Sequence, residues 1–412
     1  MVAKGGTMSS QKSTVNFRRD IFFILAAVLI GWYLALCLTH FFSDRPLWND
    51  EQCVFASIEA FSAKDMFSRK LLSLQVFPRV YLFLIQRFSR LFDYSLQALR
   101  FFPLVSMLGA FFIWLRLARR ELPDRLAYLT FVLSWPASAL LIYYSAELKP
   151  YSMDMLAGAL ILLFIFHQKK VAGIWPRGRY LTVLCLLPAL GLFSYPAFLF
   201  ALIVWHNLLL DFRRKRNPRD FYFYSLAFLF FAAISYWFDM RFRHFMEVTA
   251  GFGDYFISFA SAEDFFKTWQ EGTVNLFVKW LVIRPRIFKY LATFFMIFGL
   301  VEMFAGFFRN IRKDKYYFVS LQTIPFVLYV ELFILGALKK YPFTVPRLSL
   351  FFCPLVLLMT IRGITAVKHW NRPLGIGLHG LYAVFLGLLV IGLTLFSFQH
   401  HFCFEPVIFT TT

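Results

Sequence analysis

VFPRVYLFLIQRFSRLF, residues 76–92, is the stretch on which the reading of the whole chain turns. As helix it would be about 25 Å long, short of the roughly 30 Å hydrocarbon core of a bilayer. It carries Arg79, Gln86, Arg87 and Arg90. Such a segment either crosses a membrane or lies in its interface, and the choice fixes the side on which every later loop falls.

The composition says that there is a membrane to cross. Of 412 residues, 59% are hydrophobic and only 16% charged, and the mean hydropathy is +0.62. A soluble domain of this size cannot hide so much apolar surface. Apolar runs long enough to be considered as spans fall at about 20–42, 99–117, 125–144, 152–168, 180–193, 195–210, 221–238, 288–308, 317–338, 347–361 and 374–397. Pro188, Gly191 and Pro196 divide the fifth run from the sixth, because proline lacks the amide proton a helix interior needs.

Charge then decides residues 76–92. The formal net charge is +20. The basic residues sit in short clusters between apolar runs rather than in a stripe interleaved with aromatics, so nucleic acid is not an expected partner. With a cytoplasmic N-terminus and 76–92 in the interface, one side of the membrane receives 24 of the 43 Lys and Arg but six of the 23 Asp and Glu. A crossing at 76–92 would turn the later basic clusters outward, against the positive-inside rule. The expectation is an all-α polytopic membrane protein with about 11 transmembrane helices. The N-terminus is inside and retained as a signal anchor. The whole chain, 1–412, forms one transmembrane domain, with surface helices in a first outer loop, 43–98, and in a long outer loop, 239–287. The five cysteines show no metal-ligand spacing; a Cys53–Cys403 disulfide is one alternative to five free thiols.

Polar residues converge on the outer face. LWNDEQCVF, 47–55, places Asp50 and Glu51 in the first turn of a helix capped by Asn49, with Val54, Ile58 and Phe61 on one apolar stripe. An ionised carboxylate there could take a proton from an acceptor hydroxyl, or could simply stabilise the helix N-terminus. In YYSAELKPYSMD, 143–154, Glu147 and Lys149 stand between two spans. Either Lys149 meets an anionic phosphate while Glu147 orients an acceptor or a cation, or the two form an interfacial ion pair. Arg347, after Pro346 and near Lys339, Lys340 and Tyr341, offers a fork for a phosphate-bearing lipid or an ordinary interfacial anchor. Asp154 and Glu331, within or beside spans, are candidates because buried charge is expensive.

These stretches, taken in order, resemble the integral-membrane GT-C glycosyltransferases. The likeness is to the family 39 branch, which holds protein O-mannosyltransferases and the aminoarabinose transferase of lipid A. LWNDE resembles its acidic first-loop motif, YYSAELKPYSMD its YS-x-E-x-[KR]-x-Y stretch and ALRFFPLV, 98–105, its ALR-x-P span start. FSYPAFLF, 193–200, fits as well, and YPFTVPRLSLFFCPLVLL, 341–358, resembles its late Arg-led segment.

The resemblance implies a sugar donor carried on a polyprenyl phosphate and inverting transfer to a lipid, glycan or protein acceptor. The chemistry would take place on the periplasmic or extracellular side of a plasma (inner) membrane. It implies Asp50, then Glu51, as catalytic, Arg347 and Lys149 at the donor phosphate, and Glu147 and Tyr151 at the substrate. Some members need Mg or Mn; the chain lacks a D-x-D motif, so no metal ligand is assigned and metal dependence stays open. It also lacks the large soluble domains of oligosaccharyltransferases and protein O-mannosyltransferases, which leaves the acceptor open. The alternatives are a transporter or flippase of lipid-linked sugars, a glycan polymerase or ligase, and a non-catalytic membrane subunit.

Overall fold

A computed structural model describes residues 8–242, 255–281, 286–343 and 345–399. Cys403 and part of the long outer loop fall outside these residues, so the Cys53–Cys403 alternative does too. Among the described residues every regular element is helical.

The first helices are α1 (Met8–Phe42), α2 (Asn49–Ala60), α3 (Ala63–Ser68), α4 (Arg79–Arg90), α5 (Leu96–Glu121), α6 (Arg125–Ser134), α7 (Ala139–Tyr143) and α8 (Tyr151–Ile174). After them come α9 (Arg177–Leu186), α10 (Ala197–Arg213), α11 (Pro218–Ser235), α12 (Ala262–Val278), α13 (Arg286–Asn310), α14 (Ile324–Ala337), α15 (Cys353–Trp370) and α16 (Arg372–Gln399).

Seven segments are long and apolar enough to cross a membrane: Ile21–Phe42, Leu96–Glu121, Tyr151–Gln168, Pro218–Asp239, Ile287–Asn310, Pro346–Trp370 and Arg372–Gln399. An eighth is the pair Arg125–Ser134 and Ala139–Ala146, bent by 59°. Pro136 lies in the break, and Ser138 restarts the helix by accepting from the Leu141 amide.

The expected count of about 11 is not reached by length, and the shortfall lies in three helices. At 1.5 Å per residue, α9, α10 and α14 are about 15, 26 and 21 Å long, all below the roughly 30 Å core. The division of 180–210 does fall at the expected prolines: a 3₁₀ turn, Pro188–Leu192, separates α9 from α10.

Burial sorts the helices. Pro346–Trp370 is 78% buried, whereas Pro218–Asp239 is 11% buried. The outer helices expose continuous apolar surface, such as Leu226, Leu229 and Phe230 on α11 and Val384, Leu388, Ile391 and Leu395 on α16. Water would not tolerate patches of this extent on a monomer; lipid would. Inside, α5 packs on α8, and α13 on α15. Gly363 lets α13 and α15 approach closely: a Cβ there would stand 2.3 Å from the Phe298 carbonyl oxygen.

Residues 76–92 yield α4, 12 residues and about 18 Å long, below the roughly 30 Å core. Two of its polar residues are fasteners rather than interfacial anchors. Arg79 is buried and its Nη2 lies 2.7 Å from Asp239 Oδ1, which joins the first loop to the end of the Pro218–Asp239 segment. Tyr195 donates to the other Asp239 oxygen at 2.5 Å. The Gln86 amide donates to Ile58 O and Phe61 O, at 2.7 and 2.6 Å, and so anchors the end of α2.

Candidate functional site

The site grows from the start of α2. Trp48, in extended conformation, is the N-cap, and Asn49 is the first helical residue, so the helix begins one position earlier than the sequence suggested. The cause is Glu51, whose carboxylate reaches back to accept from the Trp48 amide at 3.3 Å. Val54 and Ile58 are buried on the stripe that seats the helix. Successive residues on a helix point about 100° apart, so Asp50 and Glu51 face different surroundings.

Glu51 faces inward and is fully buried. Arg100 Nε and Nη2 donate to its two oxygens at 3.2 and 3.0 Å. Arg45 Nη2 lies 3.2 Å from Oε2, and the Leu148 amide donates to Oε1 at 2.8 Å. Arg100 also donates to Arg45 O at 2.9 Å. One carboxylate therefore ties together α1's exit, α2, α5 and the turn before α8. Removing one partner from a buried pair of this kind costs about 3–5 kcal/mol.

Asp50 is partly exposed. Its Oδ2 accepts from Arg347 Nη1 at 3.1 Å, and its Oδ1 lies 3.4 Å from Lys149 Nζ. Arg347 sits on a 3₁₀ turn, Pro346–Phe352, that leads into α15. Tyr341 pins this turn by donating to Leu348 O at 2.6 Å. Lys339 and Lys340 are exposed. Lys149 precedes Pro150, which disfavours helix at the residue before it and so keeps the Glu147–Lys149 turn open between α7 and α8. Lys149 Nζ also donates to Gln75 Oε1 at 2.7 Å. Burial lowers the Lys149 pKa, and the Asp50 and Glu147 charges oppose this.

Glu147 is buried behind the pair. Trp48 Nε1 donates to its Oε1 at 2.9 Å, while Oε2 is buried without a hydrogen-bond partner. Burial, and then the nearby Glu51 charge, push its pKa up to about 8, against the pull of Arg45 and Lys149. Tyr151 opens α8 and meets Tyr144 edge-on, ring centroids 4.9 Å apart. Asp154 is buried one turn further along α8. Glu331 lies on α14, with Oε2 buried and unpartnered.

The six residues given roles by the resemblance, Asp50, Glu51, Glu147, Lys149, Tyr151 and Arg347, thus stand on elements that meet at one end of the bundle. The opposite end carries the Arg362–Glu121 pair, at 3.2 Å, and the Lys368–Asp124 pair. Sequence reasoning did not place Arg45, Trp48, Gln75 or Arg100 in the site. Arg100 had a signal, since an arginine inside the apolar start of a span needs a buried partner.

A divalent ion does not fit this donor set. Among the described residues no group of three His, Cys, Asp or Glu could hold one. Glu51 is committed to Arg45 and Arg100 and Asp50 to Arg347 and Lys149, so a dication would face four positive side chains.

No protein-family model, curated protein or solved structure matches the chain.

Proposed function

We propose that the chain is a membrane glycosyltransferase that moves a sugar from a polyprenyl-phosphate donor to an acceptor hydroxyl, with inversion, at the outer face of a plasma (inner) membrane. The observation that carries this reading is Asp50 held between Arg347 and Lys149, a carboxylate and two cations brought together from three distant segments. The resemblance of the ordered motifs to GT-C enzymes supports it. So does the +20 charge distribution, which favours a cytoplasmic N-terminus. In this reading α9, α10 and α14 complete about eleven crossings.

The chemistry divides the carboxylates by role. Arg347 and Lys149 bind the donor phosphate and stabilise the charge it gains as the sugar leaves. In the absence of donor they hold Asp50. A bound phosphate takes over those cations, and Asp50 is released to accept the proton of the attacking hydroxyl. Glu51, enclosed by two arginines, positions the loop rather than reacting. Glu147 and Tyr151 orient the bound substrate.

Equilibrium binding in nanodiscs tests the reading. Polyprenyl phosphate should bind the wild type and bind Arg347→Ala far more weakly. Equal binding to both would remove the phosphate site, and with it the proposal.

A further inference from the structure

Buried side-chain oxygens without hydrogen-bond partners gather around Tyr151, whose charged neighbours include Arg347, Glu147 and Asp154. Tyr151 and Asp154 are three residues apart on α8 and share a face. Glu147 Oε2 and Tyr144 Oη, neighbours of one another, and Asp154 Oδ1 and Tyr81 Oη, likewise neighbours, are the unpartnered atoms, while Asp154 also meets the Ser194 hydroxyl. None of the four residues is more than 5% exposed. Ser106 neighbours Tyr81, but its hydroxyl donates to Met153 Sδ at 3.5 Å. More tyrosines close around Asp154. Burial, then the Asp154 charge, raise the Tyr341 pKa. The Tyr195 pKa is raised by burial, then by Asp239, with Asp154 adding to it.

Folded proteins leave few buried polar atoms unpaired, because each costs about 1–3 kcal/mol. Four in one neighbourhood describe a site whose partners come from a ligand. The ligand must offer hydroxyls to Asp154, Tyr81, Tyr144 and Glu147, and apolar faces to the tyrosine rings. A lipid chain would leave the polar atoms unpaired. A phosphate would be repelled by the carboxyl groups and has Arg347 and Lys149 beside it. A sugar ring meets both requirements.

We propose that Asp154 and Tyr81, with Tyr151 between them and the two cations, form the subsite for the donor's sugar ring, and that Asp154 accepts hydrogen bonds from its hydroxyls. The proposal rests on the transferase reading above. It makes Asp154 and Tyr81 specificity-determining residues and leaves the phosphate to Arg347 and Lys149.

The test compares the binding of sugar-free polyprenyl phosphate and of a panel of polyprenyl-phosphate monosaccharides to wild type, Asp154→Ala and Tyr81→Phe in nanodiscs. Both variants should bind the sugar-free lipid as wild type does, to within about twofold, which also shows that they are folded. Each should bind the preferred sugar donor about tenfold more weakly, the worth of one good hydrogen bond. A deoxy donor lacking the hydroxyl read by Asp154 should bind wild type and Asp154→Ala equally. If the sugar changes affinity by the same factor in all three proteins, the unpaired groups meet water only and the inference is wrong while the phosphate site stands. If wild type binds neither the lipid phosphate nor any donor, the transferase reading falls and the sugar subsite falls with it.

Discussion

Asp50 Oδ2 and Arg347 Nη1 stand 3.1 Å apart although 297 residues separate them in the chain. The pair joins the first turn of α2 to the entrance of α15, and Lys149 closes it from the start of α8. A carboxylate in that position and a donor phosphate compete for the same cations. Removing the carboxylate charge should therefore strengthen phosphate binding. Asp50→Asn is expected to bind sugar-free polyprenyl phosphate several-fold more tightly than wild type, on the order of 1 kcal/mol for one partly screened charge. A binding isotherm in nanodiscs checks this, and weaker binding by the variant would contradict it.

Glu51 calls for a different outcome from its neighbour. Its carboxylate is fully buried and serves Arg45, Arg100 and two backbone amides. Glu51→Gln or Arg100→Gln leaves a buried charge short of its partner, at a cost of about 3–5 kcal/mol. Thermal unfolding in detergent should show a large loss for both, and a shift of less than about 1 kcal/mol for Asp50→Asn, which is partly exposed.

Glu147 gives the protein a pH dependence with a defined sign. Its pKa in the fold, about 8, lies above the ordinary carboxyl value of 4.5. The native state thus holds a proton that the unfolded chain has released, and stability falls as pH rises from about 4.5 to 8. Glu147→Gln removes this dependence. The variant should match wild type near pH 5, gain on it up to about pH 8 and then hold that lead. Trp48, Glu51, Arg45 and Lys149, the neighbours of Glu147, are common to both proteins. Unfolding temperatures across this range would show it; parallel curves would not fit.

Gly363 tests the core that carries Arg347. A methyl group there meets the Phe298 carbonyl oxygen at 2.3 Å and carbon at 2.8 Å, backbone atoms that cannot turn aside. Gly363→Ala should separate α13 from α15 and cost about 1–3 kcal/mol as overpacking. Gly377→Ala on α16, where nothing lies within 4 Å, should be neutral or slightly stabilising. Unfolding of the two variants side by side gives the comparison.

Much of this was legible in the sequence because it depends on local pattern. Apolar runs identified the long helices and set residues 76–92, which form the shorter α4, apart from them. Pro188 and Pro196 marked the break before α10. Short motifs picked out Asp50, Glu147, Lys149 and Arg347. What pattern could not supply was direction. Asp50 and Glu51 are adjacent and chemically alike, yet one is partly exposed and the other is enclosed by a pair of arginines, and only packing between distant helices decides which. Arg79 shows the same limit: it reads as an interfacial cation, but its partner, Asp239, is 160 residues away. The lengths of α9, α10 and α14 were also hidden, because an apolar run continues through turns that end the helix.

The most direct test of the central claim is donor turnover, read as free polyprenyl phosphate released from a panel of polyprenyl-phosphate sugars by purified wild type and Asp50→Asn. The panel is supplied with candidate lipid, glycan and protein acceptors in nanodiscs. The account predicts release by wild type and loss of at least about a hundredfold in Asp50→Asn, the contribution of a general base, while the variant retains or improves its binding of the lipid phosphate. Equal release by the two proteins would contradict the assignment of Asp50 as the base.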